Sequence, residues 1–319
     1  MAAASELHVV LGATGGVGQA ITRILAEQGA RVRAVNRGGH AIGQGSVEVV
    51  AADLANRESA VAACQDATVV YHCAGAPYDQ WATLFPLMLD NILAAVSDVG
   101  AKLVYTDNCY MYAPTSQLLT EETPQEPITR KGKLRKQLAG TVLAAHTQGR
   151  IRATIGRAPD FYGPGVRSSV VGEQFFGALV AGRRVPWIGK LDMPHALSYV
   201  DDFARGLITL GTYEQALGQV WHIPAAPALT GRQYIALASE IAGVPPKALI
   251  APRWLLRVLG VRNPVLRESV ELTYEFTAPY LFDGSKYSHT FGGTPTPHRE
   301  AMQQTVAWYR QYTPGARPA

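Results

Sequence analysis

The run His8-Val-Val-Leu-Gly-Ala-Thr-Gly-Gly-Val-Gly-Gln-Ala20 constrains the fold more than any other stretch. Val9, Val10 and Leu11 read as a short buried strand, and a glycine turn and the first turn of a helix follow. Such a junction aims free backbone N–H groups and a helix N-terminus at one point, which favours a bound pyrophosphate. Gly12 permits the tight turn, Gly15 removes a Cβ that would block phosphate, and Gly18 lets the helix lie close to the strand. With Thr14, Gly16 and Val17 they are the candidate phosphate-binding residues. Val17, Ala20, Ile21, Ile24 and Leu25 recur at helical spacing, Gly29 marks the helix end, and a second strand follows at 31–35.

Strand and helix patterns then alternate. Strands are predicted at 47–51, 68–73, 102–106 and 151–157, and helices at 57–64, 84–99 and 130–148. Repeated β-α-β units imply an α/β fold with a parallel, doubly wound sheet whose ligands lie at the carboxyl ends of the strands. Past Pro159 the rhythm breaks. A turn is expected at 161–165, helices at 170–181 and 231–242, a helix starting at Tyr199 with an aspartate cap, and a strand at 219–223. Two proline-led helical stretches, 252–259 and 264–276, read as a lid or small lobe, and the tail after Pro314 as disordered. The chain divides into a dinucleotide-binding domain, 1–160, and a smaller, mostly C-terminal substrate lobe, 161–319, with segments returning to the first domain.

Net charge is +4 without a basic run, so charge implies no nucleic-acid partner. The three cysteines, Cys64, Cys73 and Cys109, lack metal-ligand spacing and suit a reducing compartment. No signal peptide and no bilayer-spanning stretch is read, so a cytoplasmic protein without a membrane or metal is expected.

The second strand ends at Asn36-Arg37, the candidate ribose contacts. A carboxylate there would accept from a free 2′-hydroxyl. Arg37 instead offers a guanidinium suited to a 2′-phosphate, so NADP is preferred to NAD. Asp53, with Leu54 beside it, is placed either to accept from the adenine or to cap the next helix. Cys73, Ala74 and Gly75 follow the fourth strand and are small enough for a cofactor to pass.

These motifs, with Ala52-Asp-Leu54, His72-Cys-Ala-Gly75, Leu119-Thr-Glu-Glu-Thr-Pro124, Arg157-Ala-Pro-Asp-Phe-Tyr-Gly-Pro-Gly165, Tyr199-Val-Asp-Asp202 and Thr305-Val-Ala-Trp-Tyr309, resemble the extended short-chain dehydrogenase/reductases of the epimerase/dehydratase type. The resemblance implies a Rossmann-like sheet with a smaller lobe, and adds Pro159 and Phe161 to the cofactor contacts. Family members carry a Ser or Thr after the fifth strand and a Tyr-x-x-x-Lys pair on the next helix. Here Asn108 stands at the Ser/Thr position. Anchored on Gly132, Lys131 takes the tyrosine position and Arg135 the lysine position; the shifted register, Thr129 with Lys133, loses the glycine. Neither register supplies a tyrosine. By the resemblance Asn108 donates to a substrate oxygen, Arg135 holds the ribose, and Lys131 either moves a proton or only binds phosphate or faces solvent.

Tyr78, Tyr110, Tyr112 and Tyr162 fall near strand ends, and Tyr274 and Tyr280 could reach over from the lobe. As a set they imply an aromatic pocket for an uncharged, apolar small molecule. His195 replaces an arginine that relatives use on a sugar diphosphate, and Asp160 replaces an asparagine; both changes argue against a nucleotide sugar, and the two could form an acid–base pair. Three readings follow: an NADP(H)-dependent oxidoreductase acting on a small carbonyl or enone, a silent dinucleotide-binding sensor, and a non-redox isomerase or cyclase. By resemblance a homodimer through helices 84–99 and 130–148 is possible.

Overall fold

A computed structural model describes residues 6–40, 47–251 and 270–312. The stretch 252–259, residues 264–269 and the tail after Pro314 lie outside the described residues.

Seven strands form one parallel sheet: β1 (Leu7–Leu11), β2 (Arg31–Asn36), β3 (Glu48–Ala51), β4 (Val69–His72), β5 (Lys102–Asp107), β7 (Arg152–Arg157) and β12 (Val220–His222). Their order is β12-β7-β5-β4-β1-β2-β3. The chain runs outward from β1 to β3, then returns to the other side of β1 at β4. The two directions part between β1 and β4, which opens a crevice at the carboxyl ends of those strands. Every side chain of β1 and β4 is buried, as a sheet covered on both faces requires. Helices α2 (Arg57–Cys64), α3 (Trp81–Val99) and α4 (Arg130–Thr147) cover one face. The other face is covered by α1 (Gly16–Glu27), α6 (Val200–Thr212) and α8 (Ser285–Phe291).

A smaller lobe packs a third apolar cluster around Phe175, Phe176, Trp187, Tyr234 and Tyr309. It is built on α5 (Glu173–Val180), α7 (Gly231–Ala242) and α9 (His298–Gln311). Short strand pairs join this lobe to the larger body. They are β8 (Asp160–Tyr162) with β11 (Leu197–Tyr199), β10 (Pro194–His195) with β13 (Leu229–Thr230), and β6 (Leu118–Leu119) with β15 (Leu281–Phe282). Thus β12, α6 and α8, all beyond residue 160, belong to the body of the sheet.

Two sequence expectations change. The segment Tyr78–Val99 is, by length and composition, apolar enough to cross a bilayer (22 residues, mean hydropathy 1.4). In this fold it contains the core helix α3, whose Phe85, Leu89, Ile92 and Val96 are buried in the cluster under the sheet. The helix at Tyr199 carries no side-chain cap; Asp201 and Asp202 stand in its first turn. Asp201 pairs with Arg23 of α1 at 2.6 Å, and Asp202 accepts from the Thr296 amide at 2.8 Å.

In contrast α7 is fully capped. Thr230 accepts from the Gln233 amide, and the Gln233 side chain accepts from the Thr230 amide in return. Thr230→Ala is expected to lower stability by about 1 kcal/mol, read as a lower urea midpoint with an unchanged slope.

Candidate active site

The glycine turn has the geometry its sequence implies. Gly12 has φ +83°, and a Cβ on it would lie 2.4 Å from the Ala74 Cα. The ends of β1 and β4 therefore touch there, and Ala74 forms part of the turn's floor. A Cβ on Gly18 would lie 2.4 Å from the Gly12 carbonyl oxygen, so the helix sits directly against the strand end. Gly15 is exposed and meets nothing closer than 3.4 Å, while a Cβ on Gly75 would meet nothing within 4 Å. Helix α1 starts at Gly16 with no capping side chain and no acidic residue in its first turn. Its first amides point into this open cradle without a side-chain partner. The cradle fits an anionic pyrophosphate. Thr14 and Val17 flank it half-buried.

The second strand's end needs correcting. Asn36 is buried, and its carboxamide holds the turn: Nδ2 donates to the His40 carbonyl and Oδ1 accepts from the His40 amide, both at 2.9 Å. Asn36 closes the turn rather than meeting a ribose. Arg37 stands exposed in that turn. Asp53 does not cap α2; Asn56 does, accepting from the Ser59 amide at 2.9 Å. Asp53 is exposed and accepts locally from the Ala55 amide at 3.0 Å. The Leu54 side chain belongs to the core. Cys73 meets the Thr106 hydroxyl at 3.3 Å, and burial pushes its thiol up to about 12.

At the catalytic positions carried over from the family, the structure holds a charge cluster that sequence reasoning missed. Asp107 and Arg157 end adjacent strands and are register partners. Asp107 is enclosed between two arginines: Arg157 Nε donates to one oxygen and Arg135 Nε to the other, each at 2.8 Å. Arg135 also donates to the Thr106 carbonyl at 2.8 Å and lies over the rings of Phe85 and Tyr105. Its guanidinium is turned into the fold, which corrects its assignment as ribose holder. Arg157 Nη1 donates to the Tyr112 hydroxyl at 3.0 Å, and that hydroxyl lies 2.7 Å from His222 Nε2. His222 Nδ1 must donate to the Asp283 carbonyl at 3.0 Å, so Nε2 accepts from Tyr112. The Tyr112 hydroxyl thus links this cluster to the lobe, while the residue also lines the crevice described below. Tyr162 is also corrected: it is 1% exposed within the lobe core.

Lys131 is buried and donates to Glu271 at 3.0 Å, with its ammonium 5.3 Å from the Tyr78 ring centre. Asn108 accepts from the Tyr110 amide at 3.1 Å, which shapes the turn after β5. Gly132 is required there, since a Cβ would lie 2.2 Å from the Tyr110 carbonyl oxygen. Phe161 packs on Phe203, and Pro159 is buried at the end of β7.

The remaining predicted residues do converge. His195 Nε2 lies 3.1 Å from Asp160, and its Nδ1 lies 3.3 Å from the Glu275 carbonyl. Phe276 and Tyr280 stack on the ring at 4.1 and 4.9 Å. Tyr78 and Tyr110 share a hydrogen bond. Burial pushes Tyr78 up to about 12 and raises Tyr110, Tyr274 and Tyr280, so all four phenols keep their protons at neutral pH. None is the acidified phenol that the Tyr-x-x-x-Lys pair creates. Beside them opens a narrow crevice, lined by Cys109, Leu119, Tyr274, Glu275, Pro279 and Tyr280 among others. Glu275, a lone acid between aromatics in the sequence, went unremarked; only its setting marks it out. Among the described residues no group of three or more His, Cys, Asp or Glu side chains could hold a metal ion.

Burial, reinforced by the charge of Arg157, holds His222 down to about 3, and burial with the charge of Arg135 does the same to His72. Both rings are neutral in the fold but take up a proton near pH 6.5 when unfolded. The stability they contribute is present above pH 6.5 and is lost as the pH falls from there toward 3. His222→Gln is expected to flatten the dependence of the urea midpoint on pH between 6.5 and 4, and an unaltered slope would contradict this assignment.

Comparisons with known proteins agree with this architecture. The model of the NAD dependent epimerase/dehydratase family matches residues 8–223. Protein y4nL of Sinorhizobium fredii, itself uncharacterized, is 24% identical over 315 residues, covering 89% of this chain and 87% of its own. An epimerase, Mth375, from Methanothermobacter thermautotrophicus superposes with TM-score 0.81 at 18% identity, over 96% of this chain and 93% of that one. The UDP-glucuronic acid 4-epimerase of Bacillus cereus, solved with UDP-glucuronic acid and NAD, gives 0.78 at 17% identity over 96% and 99%. The dTDP-glucose 4,6-dehydratase DesIV of Streptomyces venezuelae gives 0.77 at 18% over 96% and 97%. These likenesses describe the fold. The chain belongs to the NAD dependent epimerase/dehydratase family.

Proposed function

We propose that this protein is an NADP(H)-binding oxidoreductase acting on a small, mainly apolar carbonyl or enone-like compound. The observation that carries the reading is an open glycine cradle at the end of β1 together with Tyr78, after β4, and Tyr110, after β5, whose phenols share a hydrogen bond. The cradle would hold a dinucleotide by its phosphates, and that cofactor would supply the hydride. Arg37, exposed beside the turn that Asn36 closes, would pair with a 2′-phosphate. The solved relatives named above carry NAD in two cases. The preference for NADP rests on Arg37 and on the lack of a carboxylate at the end of β2.

The substrate class rests on the crevice walls. Asp160, beside His195, would repel a sugar diphosphate, whereas the phenol and aliphatic walls of the crevice suit an uncharged compound. Asn108, half-buried after β5, would orient the oxygen. One observation favours a second reading, a dinucleotide-binding sensor without turnover: Lys131 and Arg135 are both tied to carboxylates, so neither family position is free for chemistry.

Coenzyme fluorescence titrations with dialysed protein, followed by absorbance assays over a panel of aldehydes and enones, separate the readings. NADPH is expected to bind at least tenfold more tightly than NADH, with the difference erased in Arg37→Ala, and NADPH is expected to be consumed with at least one carbonyl. Tight binding without turnover would favour the sensor. Product formed without coenzyme oxidation would favour an isomerase or cyclase.

A further inference from the structure

The oxidoreductase reading leaves one chemical need unmet. A carbonyl that accepts a hydride must also receive a proton, and the Tyr-x-x-x-Lys pair that relatives use is replaced here by Lys131 and Arg135. The four phenols near the crevice are poor donors, because burial raises rather than lowers their proton affinity. Cys109 is raised in the same way. His195 is committed on both ring nitrogens and covered on both faces. The Lys131 ammonium is held by Glu271.

One acid remains. Glu275 lies in the turn Val270–Phe276 and is 4% exposed. Glu275 is among the residues that line the crevice, and its buried Oε1 has no hydrogen-bond partner among the described residues. An unpartnered carboxyl oxygen at that depth is costly unless it is neutral or meets a ligand. The groups acting on it are Asp160 at the start of β8, Tyr274 of its own segment and Tyr280 just beyond. The charge of Asp160 and the loss of water both favour the protonated acid, while hydrogen bonds from Tyr280 and Tyr274 oppose this only in part.

We propose that the Glu275 carboxyl hands a proton to the oxygen of a carbonyl compound bound in this crevice. The inference rests on the oxidoreductase reading above. The carbonyl carbon accepts a hydride, with its electron pair, from a reduced nicotinamide. The C=O π pair moves onto oxygen, the O–H bond of Glu275 breaks, and a new O–H bond forms on the product alcohol. Glu275 is left as a carboxylate beside Asp160, and like-charge repulsion favours its taking up a proton from solvent after the product leaves, which restores the acid. The acid is stronger than the surrounding phenols yet keeps its proton until an oxygen arrives, as a general acid near neutral pH must.

The test begins without coenzyme. In an infrared difference spectrum of wild type minus the near-isosteric Glu275→Gln at pH 7, a protonated-carboxyl C=O stretch is expected in the wild type alone; its absence overturns the proposal. The second arm follows NADPH oxidation with the aldehyde and enone panel. Glu275→Gln is expected to lose at least 100-fold in kcat while NADPH affinity, which also reports folding, stays within twofold. Glu275→Asp should recover part of the rate. Unchanged turnover in Glu275→Gln overturns the donor role and leaves the oxidoreductase reading standing. A wild type that binds NADPH but reduces nothing, or that binds no coenzyme, removes the oxidoreductase reading and the donor role with it.

Discussion

The structure around the site depends on the enclosure of Asp107 by Arg135 and Arg157. All three are buried, and two cations around one anion are tolerated at that depth because each guanidinium also has a second partner. Burying ions in this way is not a cheap source of stability, but removing one partner leaves an uncompensated charge and costs about 3–5 kcal/mol. The cluster therefore fixes geometry. It locks the ends of β5 and β7 in register. Through Tyr112 and His222 it reaches the carbonyl of Asp283, and so ties the segment 281–283 to the main sheet.

That geometry explains why the chain keeps the family's fold while departing from its catalytic positions. The lysine position now holds a strut. The tyrosine position holds an ammonium pinned by Glu271. What faces the crevice instead comes from the turn after β5 and from the segment 274–280: Cys109, Tyr112, Leu119, Tyr274, Glu275 and Tyr280.

Much of the fold was legible in the sequence because it rests on local rules. The glycine spacing gave the cradle, and the alternation of buried strands with amphipathic helices gave the parallel sheet. The pairing of His195 with Asp160 could be anticipated from the two replaced motif positions. The Asp107 cluster was not, although a signal existed: an acid and a base end two strands that a doubly wound sheet buries on both faces. Sequence spacing does not say which way a guanidinium turns, so Arg135 was read as facing the ribose. Asn36 was misjudged because its partner, the His40 backbone, follows from turn geometry rather than residue type. Tyr112 and Tyr162 sit near strand ends, but one is claimed by a hydrogen-bond relay and the other by the lobe core, and neither outcome is a property of tyrosine.

The claim that Arg135 is a strut, with the working surface elsewhere, is tested most directly by coenzyme affinity and urea stability measured together on Arg135→Met. A large fall in the urea midpoint with an unchanged coenzyme dissociation constant is the predicted result. Unchanged stability with coenzyme affinity weakened tenfold or more would contradict it, and would place this arginine on the ribose.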